Sequence, residues 1–526
     1  MTSLLAITAF AFVASLALTP GVKWSARKIQ LIDRPDGHRK MHRESTPLGG
    51  GVAVYLAALA SVLAVVLVRN PWQSSLLENN TEFLGLLAAS ALLCAVGLAD
   101  DRIGLRGRQK VLGQLCAAGI LVTAGLVIRS IAIFGWQIDL GIMAIPFTLF
   151  WLLGAINALN LLDGIDGLAT SVGMILLFTI AAMAFFNGHE AQAIVALSLA
   201  GSLGGFLVYN FPPASIFLGD AGSMVIGLVA GTLAISSSIK GPATVALAAP
   251  IAIWAIPIFD SGAAVLRRKL TGRSIFACDR GHLHHCLQRL GLSSRQTLAW
   301  VAISCGCTAA GALISVYSKS ELYALLSIAA VGSTLVATKV FGYAEFLLLG
   351  SRLKALAASF LGAPGTNAPN VREACVRLQG SRKWEDLWIE LTDSAERLNL
   401  KSIRLDVNLP ALHESYHASW ECDYQGQAVD LWRTEIPLFL QDIAVGRVEI
   451  AGVRQDGLVS QCMSELADVI QSVESRVVSL AREDGGVVLE KNHGVATSPQ
   501  FGGALRAGAS SMVNPSPHAS SSAPIA

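Results

Sequence analysis

The fold is decided by a stretch in which two apolar runs flank a charged turn: FLGLLAASALLCAVGLA at 83–99, DDRIGLRGRQK at 100–110 and VLGQLCAAGILVTAGLVI at 111–128. Neither run contains Asp, Glu, Lys or Arg, and each has about the 17–25 residues that a helix needs to cross a bilayer. We therefore expect two membrane-spanning helices whose charged turn lies at one membrane surface.

Similar apolar runs recur through the first two thirds of the chain, at 3–21, 48–68, 140–158, 168–186, 191–208, 221–238, 243–264, 298–316 and 322–338. Only 14% of all residues are charged, whereas soluble domains carry roughly 25%, so a purely soluble enzyme is excluded. The first run has no basic segment before it, and we interpret it as a retained span. The sequence predicts an all-α polytopic membrane domain of about 11 transmembrane helices over residues 1–340.

The basic residues predict the orientation of these spans. Alternation through eleven spans places 18 Lys and Arg on one side, in loops 22–47, 100–110, 159–167, 209–220 and 265–297. The loops of the opposite side hold four, namely Arg69, Arg129, Lys240 and Lys319. Because Lys and Arg are enriched in cytoplasmic loops, we expect the first side and the C-terminus in the cytoplasm. The N-terminus would lie outside a bacterial inner membrane.

The composition changes after the last run. Residues 340–361 combine apolar residues with Arg352 and Lys354, which predicts a helix in the membrane interface. The sequence GAPGTNAPN at 362–370 is typical of a linker. We therefore assign 341–370 to an interfacial helix and linker.

A small cytoplasmic α+β domain is predicted at 371–483. Its signals are helical periodicity at 383–398, strand-like runs at 401–407, 414–422, 428–437 and 443–451, and a second helix at 456–482. The sequence indicates no function for this domain. Residues 484–526 are rich in Gly, Ser, Ala and Pro, which predicts a disordered tail.

Carboxylates cluster at three span ends that are predicted to share the cytoplasmic face: Asp100, Asp101, Asp163, Asp166 and Asp220. A single Asp at such a place often only caps a helix. A carboxylate near hydrocarbon is costly, however, and usually functional. Five of them on one face favour a cation site.

The first cluster holds the adjacent pair Asp100 and Asp101, followed by Lys110. Two neighbouring carboxylates repel each other, so one of them is expected to have a raised pKa and to serve as a proton acceptor. Lys110 is a candidate phosphate contact. An ordinary charged turn is the alternative.

The second cluster is NALNLLDGIDGLA, in which Asn157, Asn160, Asp163 and Asp166 recur every third residue. Residues three apart share one face of a helix, so amides and carboxylates should converge. Such a set can bind a sugar or nucleoside and a metal ion. A bare helix-end turn is the alternative.

The third cluster is FLGDAGS at 217–223, where Asp220 precedes an apolar run. Glycines and a hydroxyl at a helix N-terminus favour phosphate, with Asp220 on a bridging metal. A simple helix cap is the alternative.

The fourth motif is RGHLHHCLQRLGLS, which begins at Arg280. Its histidines, with Cys278 and Cys286, permit a zinc site, but tetrahedral zinc sites prefer wider ligand spacing. Contacts to a diphosphate are favoured, because several donors can converge on it: Arg280, His282, His284 and His285.

Together with DRPDGHRKMHRESTPLGGG at 33–51, these motifs resemble the polyprenyl-phosphate N-acetylhexosamine-1-phosphate transferase family over about residues 20–300. The histidine loop is similar to the branch that uses UDP-GlcNAc or a related sugar nucleotide. It differs from the muramyl-pentapeptide branch, which has three consecutive histidines.

The resemblance implies transfer of N-acetylhexosamine-1-phosphate, with GlcNAc favoured, from a UDP-N-acetylhexosamine to undecaprenyl phosphate. UMP would be released, and a cell-surface polysaccharide such as the O-antigen of lipopolysaccharide would be started. The implied cofactor is Mg²⁺ or Mn²⁺, and membrane lipid surrounds the protein. The resemblance gives nucleic acid no role and is compatible with a homodimer. The sequence does not choose among GlcNAc, GalNAc, FucNAc and QuiNAc.

The resemblance also implies residue roles. The catalytic candidates are Asp100, Asp101, Asp163 and Asp166, and the metal candidates are Asp220 and Asp100. The candidates for substrate binding are Lys40, His42, Lys110, Asn157, Asn160, Arg280, His282, His284 and His285. Direct attack by the lipid phosphate is the preferred route, and a covalent aspartyl intermediate stays open.

The competing interpretation is a polytopic secondary transporter with acidic sites on its cytoplasmic side. Transporter sites lie near the bilayer midplane, whereas the polar groups here are predicted at one membrane face. The sequence therefore favours the transferase.

Overall fold

The computed structural model describes residues 2–33, 45–68, 70, 72–78, 80–238, 244–270, 281–343, 345–347, 349–350, 353, 371–379, 384–398, 400–409, 414–422, 431–440, 443–453 and 475.

Helices dominate the first 337 residues. Their bounds are α1 Thr2–Lys28, α2 Gly50–Leu67, α3 Gln73–Glu78, α4 Asn80–Ile103, α5 Gly107–Thr123, α6 Ala144–Leu162, α7 Leu168–Phe186, α8 Glu190–Asn210, α9 Gly219–Ser236, α10 Ala248–Ile253, α11 Ala255–Leu270, α12 Leu283–Arg289, α13 Ser294–Ser318 and α14 Leu322–Ala337.

Among the described residues, eight helices are long and apolar enough to cross a membrane: α1, α2, α4, α6, α7, α8, α9 and α13. The chain is therefore a multi-pass membrane protein. Helices α5 and α14 are shorter, with 17 and 16 residues, and of these two α14 is apolar. The count of eleven spans, and their orientation, stay predictions.

The run at 243–264 is not one helix, which corrects the sequence interpretation. Its first residues form a strand, Thr244–Ala246, and Trp254 separates α10 from α11. Pro257 lies in the first turn of α11, where a missing N–H is tolerated. A continuous helix through this proline would lose a hydrogen bond and force its ring against the carbonyl of Ile253, so the helix breaks.

The membrane part is also not purely helical. Strands β1 Ile32–Asp33 and β2 Thr46–Pro47 pair with each other, and β3 Ser130–Ile133 and β4 Trp136–Asp139 form a hairpin. A further strand, β5 Thr244–Ala246, pairs parallel with β3. The hairpin turn places Phe134 and Gly135 at positive φ, the backbone that fits the twist of a two-residue hairpin.

Close helix contacts position the start of α9. A Cβ on Gly97 of α4 would overlap the backbone of Asp220 and Ala221, and a Cβ on Gly51 of α2 would overlap that of Gly222. Glycine is therefore required for this spacing. The C-terminal end of α4 and the N-terminal end of α9 are brought together.

The described residues after 370 form a five-stranded antiparallel sheet and one helix. The elements are β6 Val371–Gln379, α15 Trp384–Arg397, β7 Leu400–Leu409, β8 Glu414–Cys422, β9 Leu431–Leu440 and β10 Ile443–Val453, in the sheet order β6-β8-β7-β10-β9. Trp384 and Trp388 of α15 are buried, and α15 contacts β7 and β8.

The predicted helix at 383–398 and four predicted strands correspond to described elements, whereas strand β6 was not predicted. In the interfacial segment, residues 343, 345–347, 349–350 and 353 are helical. The predicted helix at 456–482, apart from residue 475, and the predicted tail at 484–526 lie outside the described residues.

Candidate active site

The first and third motifs meet at the N-terminus of α9. The two carboxylate oxygens of Asp101 accept hydrogen bonds from the backbone N–H groups of Asp220, at 2.9 Å, and Ala221, at 3.4 Å. A Cβ on Gly219 would collide with the Asp101 carboxylate. Asp101 therefore caps α9 from another helix, which fits the general attraction of helix N-termini for anions. Its catalytic role stays a prediction.

Lys110 joins the two motifs through charge. Its ammonium lies 2.7 Å from Oδ2 of Asp100 and also forms an ion pair and hydrogen bond with Oδ2 of Asp220. The other oxygen of Asp100 accepts a hydrogen bond from the backbone of Leu105 at 2.7 Å. A single cation thus lies between two carboxylates from different helices.

The second motif enters through Asn160. Its Nδ2 donates to Oδ1 of Asp220 at 2.7 Å and to Oγ of Ser223 at 3.0 Å. Asn157, one turn earlier, donates instead to Oε1 of Gln114 at 2.8 Å. Asn160 therefore lies in the cluster, whereas Asn157 links α6 to α5.

The loop after α6 carries two further carboxylates. Burial, and then the negative charges of Asp220, Asp101 and Asp166, raise the pKa of Asp163 well above its usual range. The loop therefore brings Asp163 within electrostatic range of these three carboxylates. Asp166 accepts a hydrogen bond from the backbone of Ala214 at 2.8 Å, and so holds the loop between α8 and α9.

The fourth motif reaches the site through His284. Its ring is 1% exposed, and both ring nitrogens lack a hydrogen-bond partner among the described residues. A Cβ on Gly164 would collide with Nε2, so the ring lies against the loop of Asp163. Burial, and then the charges of His285 and His282, lower its pKa well below the usual range. The imidazole is therefore neutral near pH 7.

Sequence reasoning missed Asp260, a buried carboxylate of α11. Its Oδ2 lies 2.8 Å from Nδ1 of His282, and its Oδ1 accepts a hydrogen bond from the backbone of Leu283 at 2.6 Å. Asp260 therefore fixes both the His282 ring and the start of α12. The available signal was this lone acid inside the apolar run 243–264, which is costly unless it has a partner.

Three predicted residues, Lys40, His42 and Arg280, lie outside the described residues, as does Cys278 of the zinc alternative. His285 is partly buried, and its ring centroid lies 4.2 Å from that of His284. Cys286 is buried, and its sulfur lies 2.9 Å from a guanidinium nitrogen of Arg289. The thiol thus packs within α12.

The sequence that carries these residues matches a known family. The profile described as "Glycosyl transferase family 4" matches residues 83–238, a range that includes Asp100, Lys110, Asn160, Asp163 and Asp220. A probable undecaprenyl-phosphate N-acetylglucosaminyl 1-phosphate transferase of Bacillus subtilis (strain 168) is 36% identical over 294 residues, or 55% of this chain and 79% of the relative. The chain belongs to glycosyl transferase family 4.

More distant relatives in family 4 carry related names. A decaprenyl-phosphate N-acetylglucosaminephosphotransferase of Mycobacterium leprae (strain TN) is 32% identical, over 60% of this chain and 84% of the relative. An undecaprenyl-phosphate alpha-N-acetylglucosaminyl 1-phosphate transferase of Escherichia coli (strain K12) is 29% identical, over 56% of this chain and 78% of the relative. These names describe those proteins. The sheet at 371–453 lies outside the matched residues 83–238.

The cluster of this family 4 enzyme suits a hard divalent cation. Mg²⁺ and Mn²⁺ prefer oxygen ligands, and Asp100 and Asp220 present carboxylate oxygens on either side of the Lys110 ammonium. Within the described part of the chain, no group of three His, Cys, Asp or Glu residues can by itself hold a metal. Two carboxylates fit the usual Mg²⁺ site, in which substrate phosphates and water complete the shell.

Proposed function

We propose that this enzyme transfers N-acetylglucosamine-1-phosphate from UDP-GlcNAc to a polyprenyl phosphate, with undecaprenyl phosphate as the expected acceptor. The observation that carries the proposal is the junction of Asp220 with Asp101, Lys110 and Asn160, residues from three separate motifs. The relatives named for this reaction support it, and family membership disfavours the transporter. A homodimer has no support in the single chain and is not proposed.

In the proposed reaction an oxygen of the lipid phosphate attacks the phosphorus that bears the sugar. The bond from that phosphorus to the UMP oxygen breaks, and UMP leaves as an anion. A phosphate acceptor is already ionised near neutral pH, so alignment and charge compensation are the main requirements. Lys110 supplies positive charge beside Asp100 and Asp220.

Direct attack by the lipid phosphate is the route we favour. Asp101 would be a poor covalent nucleophile, because both of its oxygens accept backbone hydrogen bonds from α9. Asp163 has a raised pKa and suits a role in holding a proton or a sugar hydroxyl. Asp166 supports the loop that carries Asp163.

The histidine segment is proposed to bind the donor diphosphate. Buried polar atoms are normally hydrogen-bonded, so the two unpartnered nitrogens of His284 indicate that a ligand completes this part of the site. A neutral imidazole can donate through one nitrogen and accept through the other. His282 is held by Asp260 and would be aligned before substrate arrives.

Asp100 and Asp220 are proposed to hold Mg²⁺ or Mn²⁺, which when bound would offset the negative charge that accumulates on the diphosphate. Asn160 orients Asp220 for this role through its hydrogen bond to Oδ1. Lys110, which pairs with both carboxylates, is proposed to contact a phosphate oxygen of the substrate.

We further propose that the enzyme lies in the bacterial inner membrane with the site and C-terminus in the cytoplasm and the N-terminus outside. The bias of basic residues supports this orientation. The proposed division is a transferase domain at 1–340, an interfacial helix and linker at 341–370 and a soluble domain at 371–483, and residues 484–526 lie outside the described part of the chain. Labelling of single cysteines from outside should miss loops 100–110, 159–167 and 209–220, and labelling of any one would overturn the orientation.

The reaction is tested with the purified full chain in lipid nanodiscs. Undecaprenyl phosphate and UDP-GlcNAc, UDP-GalNAc, UDP-FucNAc or UDP-QuiNAc are supplied with Mg²⁺, with Mn²⁺ or with excess chelator. We expect UMP and a lipid-linked GlcNAc diphosphate, identified by mass spectrometry, only when acceptor and metal are present. Absence of lipid product under all conditions would overturn the proposed function, and a different sugar in the product would correct the donor.

A further inference from the structure

The chain that follows the last apolar helix, α14, folds back onto α11. The ring of Phe341 is 3% exposed and packs edge-on against Phe259, with centroids 5.5 Å apart. Gly342 has a positive φ of 80°, and its backbone lies so close to Phe259 that an added Cβ would lie 3.0 Å from the ring. We call residues 341–347 the post-span segment.

The post-span segment carries one half of a buried ion pair. Oε1 of Glu345 lies 2.7 Å from Nη1 of Arg267, and the two side chains are 6% and 5% exposed. A charged side chain is rarely buried unless an opposite charge lies beside it. Removing one charge of a buried pair is therefore costly. Glu345 and Arg267 therefore compensate each other's charge in this buried contact.

Arg267 extends this contact to the histidine segment, residues 281–289. Its Nη2 donates to the carbonyl of Gly281 at 3.1 Å, and a Cβ on Gly281 would collide with the guanidinium. Gly281 immediately precedes His282. The ion pair thus reaches the backbone of the segment that carries the histidines.

Asp260 and Arg267 act on this segment from one face of α11. They are seven residues apart, or about two helical turns, so their side chains leave the helix in nearly the same direction. Asp260 holds the His282 ring and the Leu283 N–H, and Arg267 holds the carbonyl of Gly281. Asp260 contacts the segment from α11 directly, whereas Arg267 also pairs with Glu345 of the post-span segment.

We propose that Glu345 is a positioning residue for the donor site. By holding Arg267 against the carbonyl of Gly281, it sets the place of His282, His284 and His285. This inference rests on the proposed function, in which those histidines bind the donor diphosphate. It also makes the donor site sensitive to the chain segment that leads toward the sheet at 371–453, although Glu345 itself touches no substrate.

The proposal predicts a selective kinetic effect. A displaced histidine segment weakens contacts to the UDP-sugar, because small misplacements of binding groups are costly. Among the described residues, no hydrogen bond or ion pair joins the carboxylate cluster around Asp220 to Glu345 or Arg267, so that cluster should keep its geometry. The KM for UDP-GlcNAc should therefore rise while the KM for undecaprenyl phosphate stays nearly constant.

The test uses the full-length protein in nanodiscs and compares Glu345→Gln and Glu345→Asp with wild type. The matched control is Glu321→Gln, the same change at a carboxylate that accepts a hydrogen bond from the backbone of Phe134. We expect the KM for UDP-GlcNAc to rise on the order of tenfold in Glu345→Gln. Glu345→Asp keeps the charge, so its KM for UDP-GlcNAc should lie between those of Glu345→Gln and wild type. The KM of Glu321→Gln should match that of wild type.

A second readout does not depend on activity. Hydrogen–deuterium exchange followed by mass spectrometry reports the stability of local backbone hydrogen bonds. Peptides that cover residues 281–290 should exchange faster in Glu345→Gln, and peptides that cover 130–139 should not change. Glu321→Gln should show no change at 281–290.

Three results would overturn the proposal. They are an unchanged donor KM in Glu345→Gln, equal rises in the KM for both substrates, or unchanged exchange at 281–290. If Glu345→Gln does not fold, Glu345→Asp decides by the same criteria. Failure of the proposed function is a separate result, because wild type itself would then make no lipid product in this assay.

Discussion

The two sides of the site are built in different ways. The carboxylate side places Asp101, Asp220 and Asn160 at the ends of the long helices α4, α9 and α6, which pack through glycines. The histidine side is carried by α12, a helix of seven residues, and is held by side chains of α11. The first side follows from how the bundle packs, whereas the second depends on a few buried polar contacts. Single substitutions should separate the two sides.

The largest effect is expected on the carboxylate side. Asp220→Asn removes a charge beside Lys110 and a proposed metal ligand, and should lower kcat on the order of 100-fold or more. UMP release at saturating UDP-GlcNAc and lipid phosphate measures it. The control is Asp139→Asn, the same change at an exposed carboxylate of strand β4. Retained turnover in Asp220→Asn, with wild-type control activity, would remove Asp220 from the chemistry.

A smaller and different effect is expected on the histidine side. His284→Ala should raise the KM for UDP-GlcNAc on the order of tenfold, because the ring offers two unpartnered nitrogens to a ligand. Cys286→Ser should change the KM for UDP-GlcNAc little, and metal analysis of the purified protein should find no stoichiometric zinc. Bound zinc that is lost in Cys286→Ser would instead establish the zinc alternative and contradict the diphosphate role of this segment.

Packing on the carboxylate side can be tested without touching a polar group. Gly97→Ala should destabilise the protein by about 1–3 kcal/mol, because its methyl group meets the backbone of α9 and one helix must shift. Gly119→Ala on α5 is the control, since nothing lies within 4 Å of its added Cβ. Thermal unfolding in detergent measures both variants. Equal melting temperatures would show that the close contact is not required.

The smallest effect is expected from removing the chain beyond the post-span segment. A protein that ends at residue 365 keeps Glu345 and should retain the KM for UDP-GlcNAc within about twofold, as for distant independent sites. A protein that ends at residue 340 loses Glu345 and should behave like Glu345→Gln. An inactive but folded 1–365 protein would contradict the proposed separation of the C-terminal domain from the chemistry.

Long helices and the acidic motifs could be predicted because their signals are local. Apolar runs of bilayer length predicted the spans, and rare acids such as Asp100 and Asp220 stood out against an apolar background. The break at Trp254 and strand β6 were missed. The first depends on a proline inside an otherwise helical pattern, and the second begins directly after the predicted linker.

The contacts on the histidine side could not be predicted from the sequence. Asp260 was hidden as one acid in a long apolar run, and its partner His282 lies 22 residues away. In the sequence, Arg267 was one of the basic residues that predicted a cytoplasmic loop at 265–297. Glu345 was one residue of the predicted interfacial helix. Nothing local indicates that two such charges are buried together.

The sequence by itself determined that the chain is a membrane protein and which family it resembles, and it predicted the motifs that are proposed to carry the chemistry. These properties depend on composition and on short spacings that each segment displays alone. Only the tertiary structure decided that Asp101 caps α9, that Lys110 lies between two carboxylates, and that Asp260 and Arg267 of α11 contact the histidine segment. Those facts depend on which distant side chains meet when the helices pack. A buried charge is costly unless an opposite charge lies beside it, and only the packed structure shows which charges are paired.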